Sequence, residues 1–289
     1  MNKMSTALFI VSMLIFSTIG IVVFPMQMPS AMIVFFRALI GTLFLLLVLF
    51  ATKRKIDKSA IRKNLFPLVV SGIALGLNWV FLFDAYHKTG VAISTLCYYT
   101  SPAMVIFLSP LFLRTRASRV KKLCALISLS GMVFVSGVFT SSDKPDLTGI
   151  IFALIAALLY ALIVIMNKKI KRLSGVETTL VQLGIATVVM AVYTFVFVPT
   201  SSYYYIIDEF SPILLLGLVH TGLAYLIYFS AIKRISVSNA ALLSFIDPAG
   251  ALVLSYTVLH ETFTWWGALG IALILGSMIL PPLLSLKRN

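Results

Sequence analysis

Few residues in the long apolar runs of this chain can carry charge or hold a polar solute. Arg37, Asp84, His220 and Asp247 lie inside those runs, and Glu261 lies at the edge of one. An ionisable group in hydrocarbon is costly, so each calls for a partner or a purpose. Asp247 is the most informative. Asn239, Leu243 and Asp247 are spaced i, i+4, i+8 and share one helix face, with Gly250 and Ala251 beyond. A helix starting near Ser236 puts Asp247 roughly 16–18 Å along its axis at about 1.5 Å per residue, near the middle of a bilayer. That face reads as the lining of a cavity. Asp before Pro248 also reads as an N-cap followed by the favoured first helical residue, and Ser101-Pro102 repeats the pattern. The two roles are compatible. A helix break at membrane depth frees backbone groups that lipid cannot satisfy, so a polar pocket is expected beside it. A bare helix start attracts anions; the negative Asp247 opposes this and favours a cationic or amino-bearing solute.

His220 shares a small or polar side with Gly217, Thr221, Ala224 and Tyr228. It reads as a hydrogen-bonded packing residue or, if it faces Asp247, as half of a proton-linked pair, since histidine titrates near neutral pH. Arg37 and Asp84 lie a few residues below the same surface and are expected to neutralise each other as an ion pair on the outer side or to snorkel to the interface. Asn78 and Trp79, with Tyr98, Tyr99, Tyr160 and Tyr225, fall at middle depths. Aromatic walls of this kind suit flat or cationic solutes through stacking and cation–π contacts. The alternative for each is plain packing. Glu261, beside the interfacial pair Trp265-Trp266, reads as structural. Gly72, Gly76, Gly131, Gly270 and Gly276 allow close helix contact.

Positioning such residues requires membrane-spanning helices. The chain is 60% hydrophobic and 11% charged over 289 residues, against about 45–50% and 25% in soluble domains. Spans of about 20 apolar residues cross a bilayer. Ten are expected: 5–24, 31–51, 65–86, 91–112, 122–139, 148–166, 177–198, 212–231, 236–259 and 266–285. The fold class is therefore an all-α integral membrane protein. Pro25-Met26-Gln27-Met28 makes a poor cleavage site, so the first run is expected to be retained as a helix. The net charge of +14 is concentrated in alternate loops, among them 53–63, 114–122 and 168–172. With those loops inside, both termini are cytoplasmic in a multi-pass protein of the cell membrane. The basic loops then set orientation and need no nucleic-acid partner.

The chain also repeats itself. Residues 85–113 and 231–259 align at an offset of 146, with Pro102 on Pro248. Two five-helix halves, 1–139 and 148–289, would enter the membrane from opposite sides because five is odd. Such inverted repeats place a substrate site at their interface near the midplane. No GxxxxGK[ST] sequence is present, so nucleotide hydrolysis is not expected. Three scattered histidines and two separated cysteines, Cys97 and Cys124, offer no clustered catalytic or metal set. No cofactor is expected, and a membrane enzyme or non-transporting subunit is the weaker alternative.

Ala240 to Leu243, Pro248, Glu261, Gly267, Gly270 and Gly276 in the second half resemble the EamA-type module of the drug/metabolite transporter superfamily. In the first half Pro102 and Gly131 match, Thr115 stands where Glu would fall, and Arg37 fits the module's usual arginine. The resemblance implies a ten-helix carrier for amino acids, related metabolites or drugs, often working outward. Its partners are a small-molecule substrate and the lipid bilayer; a coupling proton and a homodimer stay open.

Overall fold

The computed structural model describes residues 3–53, 56–113, 119–135, 146–232, 234–235, 240, 243–244, 246–261 and 264–286. Among them every regular element is a helix. The order is α1 (Lys3–Ser17), α2 (Ile19–Val23), α3 (Ser30–Ala51), α4 (Lys58–Lys63), α5 (Leu65–Thr89), α6 (Val91–Tyr98), α7 (Ser101–Leu113), α8 (Arg119–Val135), α9 (Leu147–Lys169) and α10 (Gly175–Phe197). A short 3-10 turn (Thr200–Tyr204) leads to α11 (Tyr205–Asp208) and α12 (Phe210–Leu214). A π-helix (Leu215–Leu223), α13 (Ala224–Ile232), α14 (Ile246–Val258) and α15 (Trp265–Leu286) follow.

Seven stretches are long and apolar enough to cross a membrane: Lys3–Val23, Ser30–Ala51, Leu65–Thr89, Val91–Leu113, Leu147–Lys169, Gly175–Phe197 and Phe210–Ile232. Lys122–Phe134, Ile246–Val258 and Trp265–Ser277 are shorter apolar helices at the other three expected positions. The chain is thus a multi-pass, all-helical membrane protein.

Local chemistry sets the helix ends. Asp57 accepts from Ala60 N at 2.9 Å to start α4. Asp146 accepts from Thr148 N at 2.8 Å to start α9, and that amide holds its carboxyl below the usual carboxylate range. Ser174 and Glu177 form a reciprocal capping box on α10. Gly90, with φ of 82°, makes the turn between α5 and α6 that a side chain would strain.

Packing between helices relies on small residues, because lipid gives no hydrophobic drive for association. A methyl group at Gly41 would lie 2.5 Å from Thr221 Cγ2, and one at Gly217 would lie 2.5 Å from Ile40 Cβ. Likewise Gly72 sits against Ile185, Gly76 against Met190 and Gly131 against the Gly270 carbonyl. Gly276 departs from expectation: it is exposed and a methyl there would meet nothing within 4 Å. The main core lies among α3, α5, α9, α10 and the π-helix. Large apolar side chains such as Phe50, Leu47 and Phe197 point outward, as lipid-facing surface requires.

The offset of 146 residues relates the helices in pairs. It carries α3 onto α10, α8 onto α15 and Ser101, the first residue of α7, onto Asp247 at the start of α14. α3 packs on α10, α8 on α15 and α6 on α14. The connections also sort by end. Glu209, after α11, accepts from Gln27 N at 2.5 Å and Met28 N at 3.2 Å, between α2 and α3. At the opposite end Asn64 bonds the Lys171 backbone, donating to its carbonyl at 2.9 Å and accepting from its N–H at 3.1 Å.

Candidate functional site

Two helical segments are interrupted where the repeat predicts. The run 91–113 breaks at Tyr99-Thr100, between α6 and α7. α14 begins at Ile246, one residue before Asp247. The break after α6 meets the start of α14, where the Tyr99 hydroxyl donates to the Asp247 carboxylate. Asp247 therefore accepts from a tyrosine of the other half. Among the described residues it bonds no backbone amide and forms no ion pair, so pure N-capping does not account for it. It stays half-buried.

Tyrosines gather around this contact. Tyr98 lies 5.9 Å from Tyr99 and 5.5 Å from Tyr160 between ring centroids. Tyr86, Tyr99, Tyr160 and Tyr225 are all close enough to Asp247 to feel its charge. Tyr160 is 40% accessible although Tyr98 packs on it and Tyr225 and Tyr228 are near. Phe16 extends this aromatic group, with its ring 5.4 Å from that of Tyr225.

Arg37 approaches the same phenols from α3. Its charge reaches Tyr86, Tyr98 and Tyr225. It is 2% exposed. Its Nε donates to Thr221 Oγ1 at 2.7 Å, and its guanidinium lies 4.0 Å from the Trp79 ring centroid and 5.6 Å from that of Phe83. This corrects the expected outer-side ion pair of Arg37 with Asp84: no such bridge exists among the described residues. The helix explains why. Trp79 and Phe83 turn one face of α5 to Arg37. Asp84 shares the adjacent face with Phe81 and Lys88, both of which contact Phe152 of α9.

His220 is buried in the π-helix and both ring nitrogens are engaged, with Thr18 Oγ1 at 2.8 Å and the Leu215 carbonyl at 3.1 Å. Thr221 Oγ1 likewise reaches the fifth preceding carbonyl, Leu216 O, at 2.8 Å, and both side chains sit in a π-helix, an element that often marks functional sites. His220 makes no bond to Asp247. Asn78 is fully buried and donates to the Ala156 carbonyl at 2.6 Å, tying α5 to α9, while its Oδ1 has no partner. Trp79 is also buried and acts through Arg37. Asn239 lies outside the described residues. Tyr86 and Phe16 were missed; the stripe Trp79, Phe83, Tyr86 at i, i+4, i+7 on α5 was the available signal for the first.

Glu261 has a structural position. Its carboxylate accepts from Val91 N at 2.6 Å, Ala92 N at 2.8 Å and the Ser255 hydroxyl. It seals the N-terminus of α6, where backbone donors and the helix dipole favour a negative charge. No cluster of His, Cys, Asp or Glu among the described residues could hold a metal.

Comparison with known proteins agrees with this architecture. A crystal structure with 18% sequence identity superposes with a TM-score of 0.66 over 100% of both chains, which establishes the shared fold. The uncharacterized transporter YxxF of Bacillus subtilis is 30% identical over 275 residues, 94% of this chain and 87% of the relative. The uncharacterized transporter YoaV of the same organism is 25% identical over 254 residues, 84% of this chain and 82% of the relative. Residues 3–137 and 147–281 each match the EamA-like transporter family, and the chain belongs to that family of membrane transporters.

Proposed function

We propose that this protein is a secondary carrier that moves small organic solutes bearing an amino group, amino acids or related metabolites and drugs, out of the cell. It works by alternating access around the cavity between Tyr99 and Asp247. One observation carries the reading: an interrupted helix from each half meets the other at its break, through a tyrosine and an otherwise unpaired carboxylate, beside accessible tyrosines. Irregular backbone at that depth is tolerated where it lines a cavity, and an unpaired acid there attracts a cation.

Ten spans in two inverted halves supply the moving parts. In support, the 27–28 and 209 connections meet at one end while their repeat counterparts, near 64 and 171, meet at the other. α3 packs on its counterpart α10 and α8 on its counterpart α15, a pairing that fits a two-fold axis lying across the spans. The basic loops put both termini in the cytoplasm and the protein in the cell membrane. Proton coupling through Asp247 is compatible with this reading, as is a homodimer.

Flux of labelled amino acids and organic cations into liposomes holding the pure protein tests it. A charge-assisted contact is worth about 1.5–3 kcal/mol, so Asp247→Asn should slow flux by about tenfold or more. Cells overproducing the protein should gain resistance to toxic amino-acid analogues. Flux no faster than through empty liposomes defeats the carrier assignment; full flux in Asp247→Asn defeats the site.

A further inference from the structure

The seam between α7 and α9 holds an open groove of about 380 Å³ with wholly apolar walls. Met104 and Phe107 of α7 line one side, and Ile151, Ile155 and Leu158 of α9 line the other. Phe107, Ile151 and Leu158 are exposed, and among the described residues no third helix lines the groove. Leu158 is the middle residue of α9 (Leu147–Lys169). The groove therefore opens at the centre of the span, where hydrocarbon surrounds the protein.

The same helix face ends in a charge. Ile151, Leu158 and Lys169 are spaced i, i+7, i+18 and share one side of α9. Lys169 reaches across the seam: its Nζ lies 5.6 Å from the centroid of the Phe112 ring, in the last turn of α7. Among the described residues no carboxylate pairs with it. Lys171 and Arg172, both exposed, extend the basic rim. From Leu158 to Lys169 the helix rises roughly 16 Å at about 1.5 Å per residue. One leaflet of hydrocarbon is about 15 Å deep. A phospholipid whose phosphate meets Lys169 thus brings the end of an acyl chain to the groove. A second copy of this chain fits less well. Two copies in one membrane orientation, joined through this seam by a two-fold axis, present the same patch to each other. Lys169 and its basic neighbours would then face their own like charges.

We propose that the α7–α9 seam binds one anionic phospholipid of the leaflet at the Lys169 end, its phosphate on Lys169 and an acyl chain in the groove. Basic pockets between membrane helices hold anionic headgroups in this way. The site shares no residue with the contact between Tyr99 and Asp247, and the proposal stands whether or not the chain moves solutes.

Native mass spectrometry tests it on full-length protein reconstituted in vesicles of equal parts phosphatidylglycerol and phosphatidylcholine and then released into detergent. Wild type should retain one phosphatidylglycerol over phosphatidylcholine by about fivefold, the equivalent of about 1 kcal/mol for one lysine at an anionic surface. Lys169→Gln should remove that preference, while Lys58→Gln, on α4, should leave it intact. Leu158→Trp fills the groove and should lower retention of both lipids. None of the three replaced side chains is buried, so each variant should keep the wild-type melting temperature. Equal retention of the two lipids by wild type overturns the inference. An equal fall in Lys58→Gln and Lys169→Gln also does so, by assigning the preference to diffuse charge, as does undiminished retention in Leu158→Trp. A two-chain mass that Leu158→Trp splits gives the seam to a second copy and overturns it too.

Discussion

Replacing Glu261 by Gln should loosen the end of the molecule that carries Gly90 and measurably expose Cys97. The carboxylate holds two α6 amides, at 2.6 and 2.8 Å, and the Ser255 hydroxyl. Each bond to a charged acceptor is worth about 1.5–3 kcal/mol. A glutamine has one acceptor oxygen and presents an N–H pair where α6 also presents N–H. Counting only the two amides of α6, keeping one as a neutral bond of about 1 kcal/mol leaves a net loss of about 2 kcal/mol at the low end. That corresponds to about a thirtyfold larger population with α6 released. Cys97 is the reporter: it is fully buried beside Ala85, Ile150 and Ala153, on the helix that Glu261 holds. When opening and closing are faster than modification, maleimide reacts in proportion to the open population. In a Cys124→Ala background, Cys97 labelling should accelerate by about thirtyfold in Glu261→Gln. A change below about threefold, with the protein still folded, would refute the latch.

Three further outcomes follow from packing and hydrogen bonding. Gly217→Ala forces a methyl against Ile40 at 2.5 Å and should cost about 1–3 kcal/mol as overpacking, read as a drop of several degrees in melting temperature. Gly276→Ala meets nothing and should leave it unchanged or slightly higher. His220→Gln should lower the melting temperature by removing bonds to Thr18 and Leu215 O, yet leave the pH profile of transport unaltered; a shifted profile would restore the histidine as a proton carrier.

The apolar helices and the repeat were legible in the sequence, but orientation around each helix was legible only in part. Asp247 and the two prolines announced the breaks, because a proline that removes a backbone donor at membrane depth leaves few alternatives. The partner of Asp247 was not announced. Tyr99 comes from the other half, 148 positions away, and neither residue's own helix shows which tyrosine it meets. Arg37 and Asp84 misled for a related reason. Similar depth suggested a pair, but rotation around α5 put Trp79 and Phe83 before the guanidinium and turned Asp84 toward α9. The π-helix at 215–223 had no signature beyond Gly217 and Gly222, whose bare faces admit Ile40 and Phe44. It reorients His220 and Thr221 by lengthening the turn, so an α-helical wheel misplaces both.

The repeat also predicts that the two access states differ in energy. If the halves exchange roles, each seal at one end has a counterpart 146 positions away at the other. The Glu209 contacts with 27–28 and the Asn64 contacts with Lys171 are both made here, one at each end. Glu261, which binds Val91 and Ala92, has Thr115 as its sequence counterpart. A threonine brings neither the charge nor the second acceptor. The state sealed by Glu261 is therefore favoured, by about the 2 kcal/mol attributed above to its carboxylate. Thr115→Glu supplies the missing acid to the other seal and should shift the equilibrium back, speeding Cys97 labelling as Glu261→Gln does. The double variant should speed it most, because both changes favour release of α6. Slower labelling in Thr115→Glu would mean that the halves do not exchange roles, and the two-fold reasoning would fall with it.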